Sequence, residues 1–146
     1  LSEEFLRLLH LRLFGKVWRW AGGFRTTEKN IGVDPAQIQV QLRALLDDTR
    51  HWLRHRVYRP SEAAIRFHHR LVFIHPFTNG NGRHARIAAD ALLEKKLGLP
   101  PIDWSGGLDL AANGPRRSQY IAALRAADAH DYGPLIAFIG AREDMG

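Results

Sequence analysis

His75-Pro76-Phe77-Thr78-Asn79-Gly80-Asn81-Gly82-Arg83-His84-Ala85-Arg86 carries more chemistry than any other stretch of the chain, and the fold is read outward from it. Gly80 and Gly82 lack a Cβ, so the backbone can turn successive N–H groups towards one anion. The run from Gly82 to Lys96 reads as a helix. The glycines therefore stand at a helix N-terminus, where unpaired N–H groups and the helix dipole favour negative charge. Arg83 and Arg86, three apart, share a face of the first turn and suit a ligand with several phosphates. His75 lies just ahead, and Pro76 biases it away from helical dihedrals. An imidazole of near-neutral pKa beside a polyphosphate is a suitable base for a hydroxyl that attacks phosphorus. Phe77 has no evident chemistry and reads as a buried pin. Two plainer patterns compete. Gly80-x-Gly82-x-x-Ala85 fits a loose dinucleotide fingerprint, but no βαβ repeat follows and the segment before His75 reads as a helix. A loop and helix start with two solvated arginines explains each residue singly, not their concurrence.

The rest of the chain reads as scaffold. Its 146 residues suit a single domain over 1–146 with one core. The balance of 45% hydrophobic and 25% charged residues is that of a globular protein rather than a disordered one. No cysteine is present, which excludes disulfides and thiolate metal sites and is consistent with the cytoplasm. No apolar run reaches membrane-spanning length, and nothing resembles a signal peptide. The net charge of +6 suits nucleic acid, an anionic membrane surface or an anionic small ligand, and composition does not choose among them. Because the arginines are scattered over several helices, the reading favours a small anion over nucleic acid. Oligomeric state is not legible.

In order, Ser2 to Trp20 reads as a helix capped by Ser2, with Phe5, Leu8, Leu9, Leu13 and Val17 on its buried face. Trp18 and Trp20 read as packing residues, and Gly22-Gly23 stops the helix. Phe24 to Gly32 reads as an extended hairpin or loop whose edge can pair with a peptide. Asp34-Pro35 starts a second helix striped by Ile38, Leu42, Leu45, Leu46 and Leu53. Pro60-Ser61-Glu62 opens a third, which turns Ala64, Ile65, Phe67, Leu71 and Val72 inward and delivers the chain to His75. His68 and His69 are adjacent and point to different faces, so they read as hydrogen-bonding residues rather than zinc ligands. The fourth helix continues through Ala88, Ala89, Leu92 and Leu93. Residues 99 to 114 form a loop that brings Asp103 and Trp104 near a ligand edge. Pro115 to Ala127 is helical and carries Arg116, Arg117 and Tyr120; Gly133-Pro134 begins a last helix.

The stretch from His75 to Arg86 resembles the signature of the Fic family: His-Pro-Phe, two residues, Gly-Asn-Gly-Arg, two residues, Arg. Every fixed position is matched, and Trp20-Ala21-Gly22-Gly23-Phe24-Arg25 and Tyr120-Ile121-Ala122-Ala123-Leu124 extend the similarity. The resemblance implies an all-α bundle with one short β-hairpin flap, and transfer of AMP from ATP to a Ser, Thr or Tyr hydroxyl of a target protein. It implies His75 as base and Asn81 and Arg83 as catalytic partners. Thr78, Asn79, Gly80, Asn81, Gly82, Arg83, Arg86 and Tyr120 would bind nucleotide, with Tyr120 either stacked on adenine or a core tyrosine with its hydroxyl at the rim. Phe24, Arg25, Thr26, Thr27 and Ile31 would form the flap that docks the target. His84 falls at an unspecified position and is given no role. Asn79 stands where active AMP transferases usually carry Asp or Glu for Mg²⁺. An amide offers a carbonyl oxygen without charge, so Asn79 would be a weak metal contact and Mg²⁺ would rely on phosphates and water. Two alternatives follow: transfer of UMP, another nucleotide or phosphate, or a nucleotide-binding regulatory module with little catalysis. Many members are restrained by a helix of the form Ser/Thr, three residues, Glu, whose glutamate pairs with the second arginine, here Arg86. No such stretch occurs in these residues, so a restraint would come from upstream of Leu1 or from a separate protein, or there is none.

Overall fold

The computed structural model describes residues 1–29, 31–102, 104 and 114–139, and its regular structure is helical throughout. The helices are α1 (Glu3–Phe14), α2 (Ile38–His55), α3 (Pro60–Ile74), α4 (Asn81–Ala91), α5 (Pro115–Asp128) and α6 (Gly133–Ile139). α3 is the central element and packs against α2, α4, α5 and α6. It can do so because Ala64, Ile65, Phe67, Leu71 and Ile74 are all buried, while Ala85, Ala88 and Ala89 let α4 approach closely. α2 follows a short 3₁₀ turn, Pro35–Gln37, whose Asp34 cap accepts the Ala36 N–H at 2.9 Å. α4 runs on through a π-type turn, Leu92–Lys96.

α1 departs from the sequence reading. It ends at Phe14, where Gly15 caps it and the Val17 and Trp18 amides fold back onto the Phe14 carbonyl. The Trp18 ring stacks on Phe14 at 4.8 Å and Trp20 on Trp18 at 4.6 Å, a stack that a continuing helix would pull apart. Its buried residues are Leu6, His10 and Phe14, while Leu8 and Val17 are exposed.

Buried imidazoles tie the helices together. His68 Nε2 meets the Tyr120 hydroxyl at 2.7 Å, His69 Nε2 meets Asp128 at 2.7 Å, and His84 Nε2 meets the Leu6 carbonyl at 2.8 Å. Burial pushes His68 down to about 3 and His84 to about 4, so both are neutral near pH 7. Trp104 is part of this core and not a ligand contact. It packs on His68 at 4.4 Å and its indole N–H donates to Asp90 at 2.9 Å. Asp103, Gly106 and Gly107 of that loop lie outside the described residues.

The turn from α3 to α4 is fixed from inside. Phe77 is fully buried, with His10 stacked on it at 3.8 Å and His84 edge-on at 4.9 Å. Asn81, at the first position of α4, points back at it. Its Oδ1 accepts the Phe77 N–H at 2.9 Å and its Nδ2 donates to the Phe77 carbonyl at 2.8 Å. Gly80 sits at φ 78°, and a Cβ there would fall 2.6 Å from the Phe14 ring, so glycine is required twice over. Asn81→Ala strands a buried N–H and a buried carbonyl and should lower unfolding free energy by about 1–3 kcal/mol. Denaturant titration without nucleotide measures this; an unchanged midpoint would mean that the side chain serves a ligand and not the turn.

Candidate functional site

The sequence places His75 against a proline, and the backbone answers by leaving the right-handed helix. His75 is the left-handed C-cap of α3, at φ 55° and ψ 61°, rather than extended. Its N–H still reaches the Leu71 carbonyl at 3.2 Å, and the chain reverses within one residue. The half-buried ring makes no hydrogen bond among the described residues and faces a groove of about 630 Å³. Burial, then the Arg25 and Lys29 charges, lowers its pKa, so the ring is a free neutral base near pH 7.

The first turn of α4 opens onto the same groove. The first helical bond runs from the His84 N–H to the Gly80 carbonyl at 3.0 Å, and α4 has no side-chain cap. The Asn81, Gly82 and Arg83 amides thus precede the ladder and are available to an anion. Arg83 lies over the Phe14 ring at 5.7 Å and Arg86 over the Tyr120 ring at 5.8 Å, and both side chains line the groove. Gly82 leaves room for Arg86, whose Nη1 would lie 3.4 Å from a Cβ there. Val72, Phe73, Ile121 and Leu124 give the groove an apolar wall on which a flat ring can lie, and half of Phe73 is solvent-exposed.

Most of the sequence-derived residues meet here: His75, Asn79, Gly80, Asn81, Gly82, Arg83, Arg86 and Tyr120 line the groove, and Ile31 closes it from the flap. Three contribute differently from expectation. Asn81 spends its side chain on Phe77 and offers the groove only its backbone. Tyr120 is a core tyrosine, but its hydroxyl meets the buried His68 and is not at the rim; its ring lies beneath Arg86. Asn79 turns its Oδ1 to the Gly80 N–H at 2.8 Å. Among the described residues no three His, Cys, Asp or Glu side chains gather to hold a metal. A neutral amide already bonded to its own loop does not build a Mg²⁺ site, and the fit fails on the protein side.

The described residues of 23–32 form no strand, so the described part of the flap is loop, the second of the two forms that the sequence allows. Its ends are held by Arg25 rather than by a ladder. Arg25 is buried; its Nε donates to the His75 carbonyl at 2.6 Å, its Nη1 to Thr27 O at 3.1 Å, and its Nη2 to the Val33 and Ile74 carbonyls. It clamps the flap to the end of α3 and is not presented to a partner. Phe24 is half-buried under the Arg7 guanidinium, while Thr26, Thr27 and Ile31 are exposed. Thr78, Thr26 and Thr27 face a separate cavity of about 910 Å³ between the flap and α1, away from the phosphate-side groove. Sequence reasoning missed His10, which accepts the Gly22 N–H and meets the Asn79 carbonyl, each at 3.0 Å. The signal was a buried repeat at i, i+4 and i+8, Leu6–His10–Phe14, with a polar residue in the middle.

Comparison with known proteins identifies the family. The Fic/DOC family model matches residues 1–93. The chain is 33% identical over 135 residues to a protein adenylyltransferase Fic of Drosophila grimshawi, covering 90% of this chain and 26% of that protein. It is 32% identical over 126 residues to the protein adenylyltransferase fic-1 of Caenorhabditis elegans, covering 82% and 22%. It therefore spans about a quarter of the length of these relatives. The solved Fic-1 fragment from C. elegans superposes with a TM-score of 0.76 at 30% identity, covering 99% of this chain and 41% of that one. BepC of Bartonella tribocorum, solved with bound AMPPNP, shares the fold at a TM-score of 0.71 and 21% identity, covering 96% and 73%. With the family model matching residues 1–93 and a relative 33% identical over 135 residues, this chain belongs to the Fic/DOC family.

Proposed function

We propose that this chain is the catalytic core of a protein adenylyltransferase that moves AMP from ATP to a Ser, Thr or Tyr hydroxyl of a target protein. One observation carries the reading: an unbonded neutral imidazole, two guanidiniums and the unpaired amides of α4 address a single groove. The names of the relatives support it. The triphosphate lies on the Asn81, Gly82 and Arg83 amides, with the base against Val72, Phe73, Ile121 and Leu124. His75 takes the proton of the target hydroxyl as its oxygen attacks the α-phosphorus. The new O–P bond forms as the bond to the bridging α–β oxygen breaks, and pyrophosphate leaves with that electron pair. Arg83 and Arg86 stabilise the charge developing on the phosphate oxygens. The flap offers its main chain and the exposed Thr26, Thr27 and Ile31 to the target, a mode that asks for little sequence specificity. Mg²⁺, where used, relies on phosphate and water, and no step is assigned to it.

Incubation with α-labelled ATP and lysate should label a protein or the chain itself. His75→Ala should lose labelling by about 10²-fold or more while still taking up nucleotide, because the cradle is untouched. Equal labelling by His75→Ala would remove His75 as the base, and label carried by γ-labelled ATP instead would indicate phosphate transfer. The acid limb of the rate should also be displaced. A base whose pKa is lowered from 6.5 is more than half deprotonated at pH 6.5, so the rate there should exceed half its plateau and fall only below that. Lys29→Glu replaces a charge that lowers the His75 pKa and should move that limb to higher pH; a limb that stays in place would show that His75 is not the group titrating.

A further inference from the structure

His10 is fully buried at the midpoint of α1, and both ring nitrogens are used. The Gly22 N–H donates to Nδ1 at 3.0 Å, so that nitrogen carries no proton. The proton of the neutral ring is therefore on Nε2, which donates to the Asn79 carbonyl at 3.0 Å. Burial, which lowers the pKa of this ring, keeps it in that neutral form near pH 7. The tautomer is thus fixed by a backbone amide at the root of the flap, and its other end holds a backbone carbonyl of the phosphate-side loop. The ring is also packed, stacked on Phe77 at 3.8 Å with an interplanar angle of 16°.

The bond to Asn79 has a consequence for the groove. In a trans peptide the C=O and the following N–H point in opposite directions. With the Asn79 carbonyl drawn inward, the Gly80 N–H must point outward, and it does, to the exposed side chain of Asn79 at 2.8 Å. Gly80, at φ 78°, is a residue for which a turn of the preceding peptide plane costs little. If that plane turned over, a carbonyl oxygen would face the phosphates, reversing a dipole at the edge of the anion site.

We propose that His10 is a positioning residue for nucleotide binding: it holds the Asn79 carbonyl inward, away from the phosphates, and so keeps the Asn79–Gly80 peptide, whose N–H donates to the Asn79 side chain, from turning that oxygen towards them. The same imidazole holds the Gly22 amide, so the flap root and the phosphate loop share one hinge pin. This rests on the nucleotide reading of the groove.

Calorimetric titration with ATP, run well below each protein's melting temperature, tests both at once. His10→Phe keeps an aromatic ring on Phe77 and loses both bonds, so its affinity should fall about tenfold. His10→Gln, whose amide reaches about as far as Nε2 and can donate to Asn79, should stay within about threefold of the unmodified chain. His10→Asn, which can meet the Gly22 N–H but is too short for Asn79, should behave like His10→Phe; if His10→Phe does not fold, this variant decides. A role confined to stability would lower the melting temperatures of His10→Phe and His10→Asn while leaving their affinities equal to the unmodified chain, and that result would overturn the assignment with the nucleotide reading intact. No ATP uptake by the unmodified chain would overturn the nucleotide reading and this inference with it.

Discussion

The contact on which the site depends is the burial of Phe77. One side of its ring carries His10, its edge meets His84, and its two backbone polar groups are taken by the Asn81 side chain. A turn that must present unpaired amides outward cannot stabilise itself by hydrogen bonding those amides, so it has to be held from behind. Phe77 provides the apolar anchor, Asn81 satisfies the two groups that burial would otherwise strand, and glycine at 80 allows the Phe14 ring to press against the loop. The groove is preformed because its rear wall is packed core.

This division of labour separates the polar residues of the signature into two sets. His75, Arg83 and Arg86 face the groove without ion-pair partners among the described residues, and their charge or proton affinity is left for a ligand. Asn81 and, from outside the signature, Arg25 and His10 face inward and hold carbonyls and amides of the turn. Arg25 also links the two sets, since its buried charge stands beside His75 and helps to keep the imidazole neutral. The residue that fastens the flap to α3 thereby tunes the base.

Much of this was legible in the sequence where apolar periodicity and local chemistry agreed. Ile38, Leu42, Leu45 and Leu46 are buried on α2, Pro60 opens α3 at its first position, and the glycines sit at the head of α4 as their conformational freedom requires. What was not legible came from polar residues used as core. His10 interrupts the stripe of α1: of Phe5, Leu8, Leu9, Leu13 and Val17, Phe5 and Leu9 do pack against the core, but Leu8 and Val17 are exposed, and the buried residues of the helix are Leu6, His10 and Phe14. Arg25, met in an exposed-looking run of Thr, Glu and Lys, is buried because the carbonyls at the end of α3 and across the flap need a donor with several N–H groups. That clamp takes the place of the cross-strand ladder a hairpin would have supplied. Asn81 could be placed in the signature but not oriented, since nothing in the local pattern says that its amide turns back.

The anion seat is built from the backbone at the start of α4 and stands ready before any ligand arrives. Amide hydrogen exchange, measured residue by residue with and without saturating ATP, addresses it directly. The Asn81, Gly82 and Arg83 amides should slow on ATP binding while the interior amides of α2 keep their rates. Saturation with ATP that leaves those three amides unprotected, with protection gathered instead around the flap cavity or along α2, would contradict it.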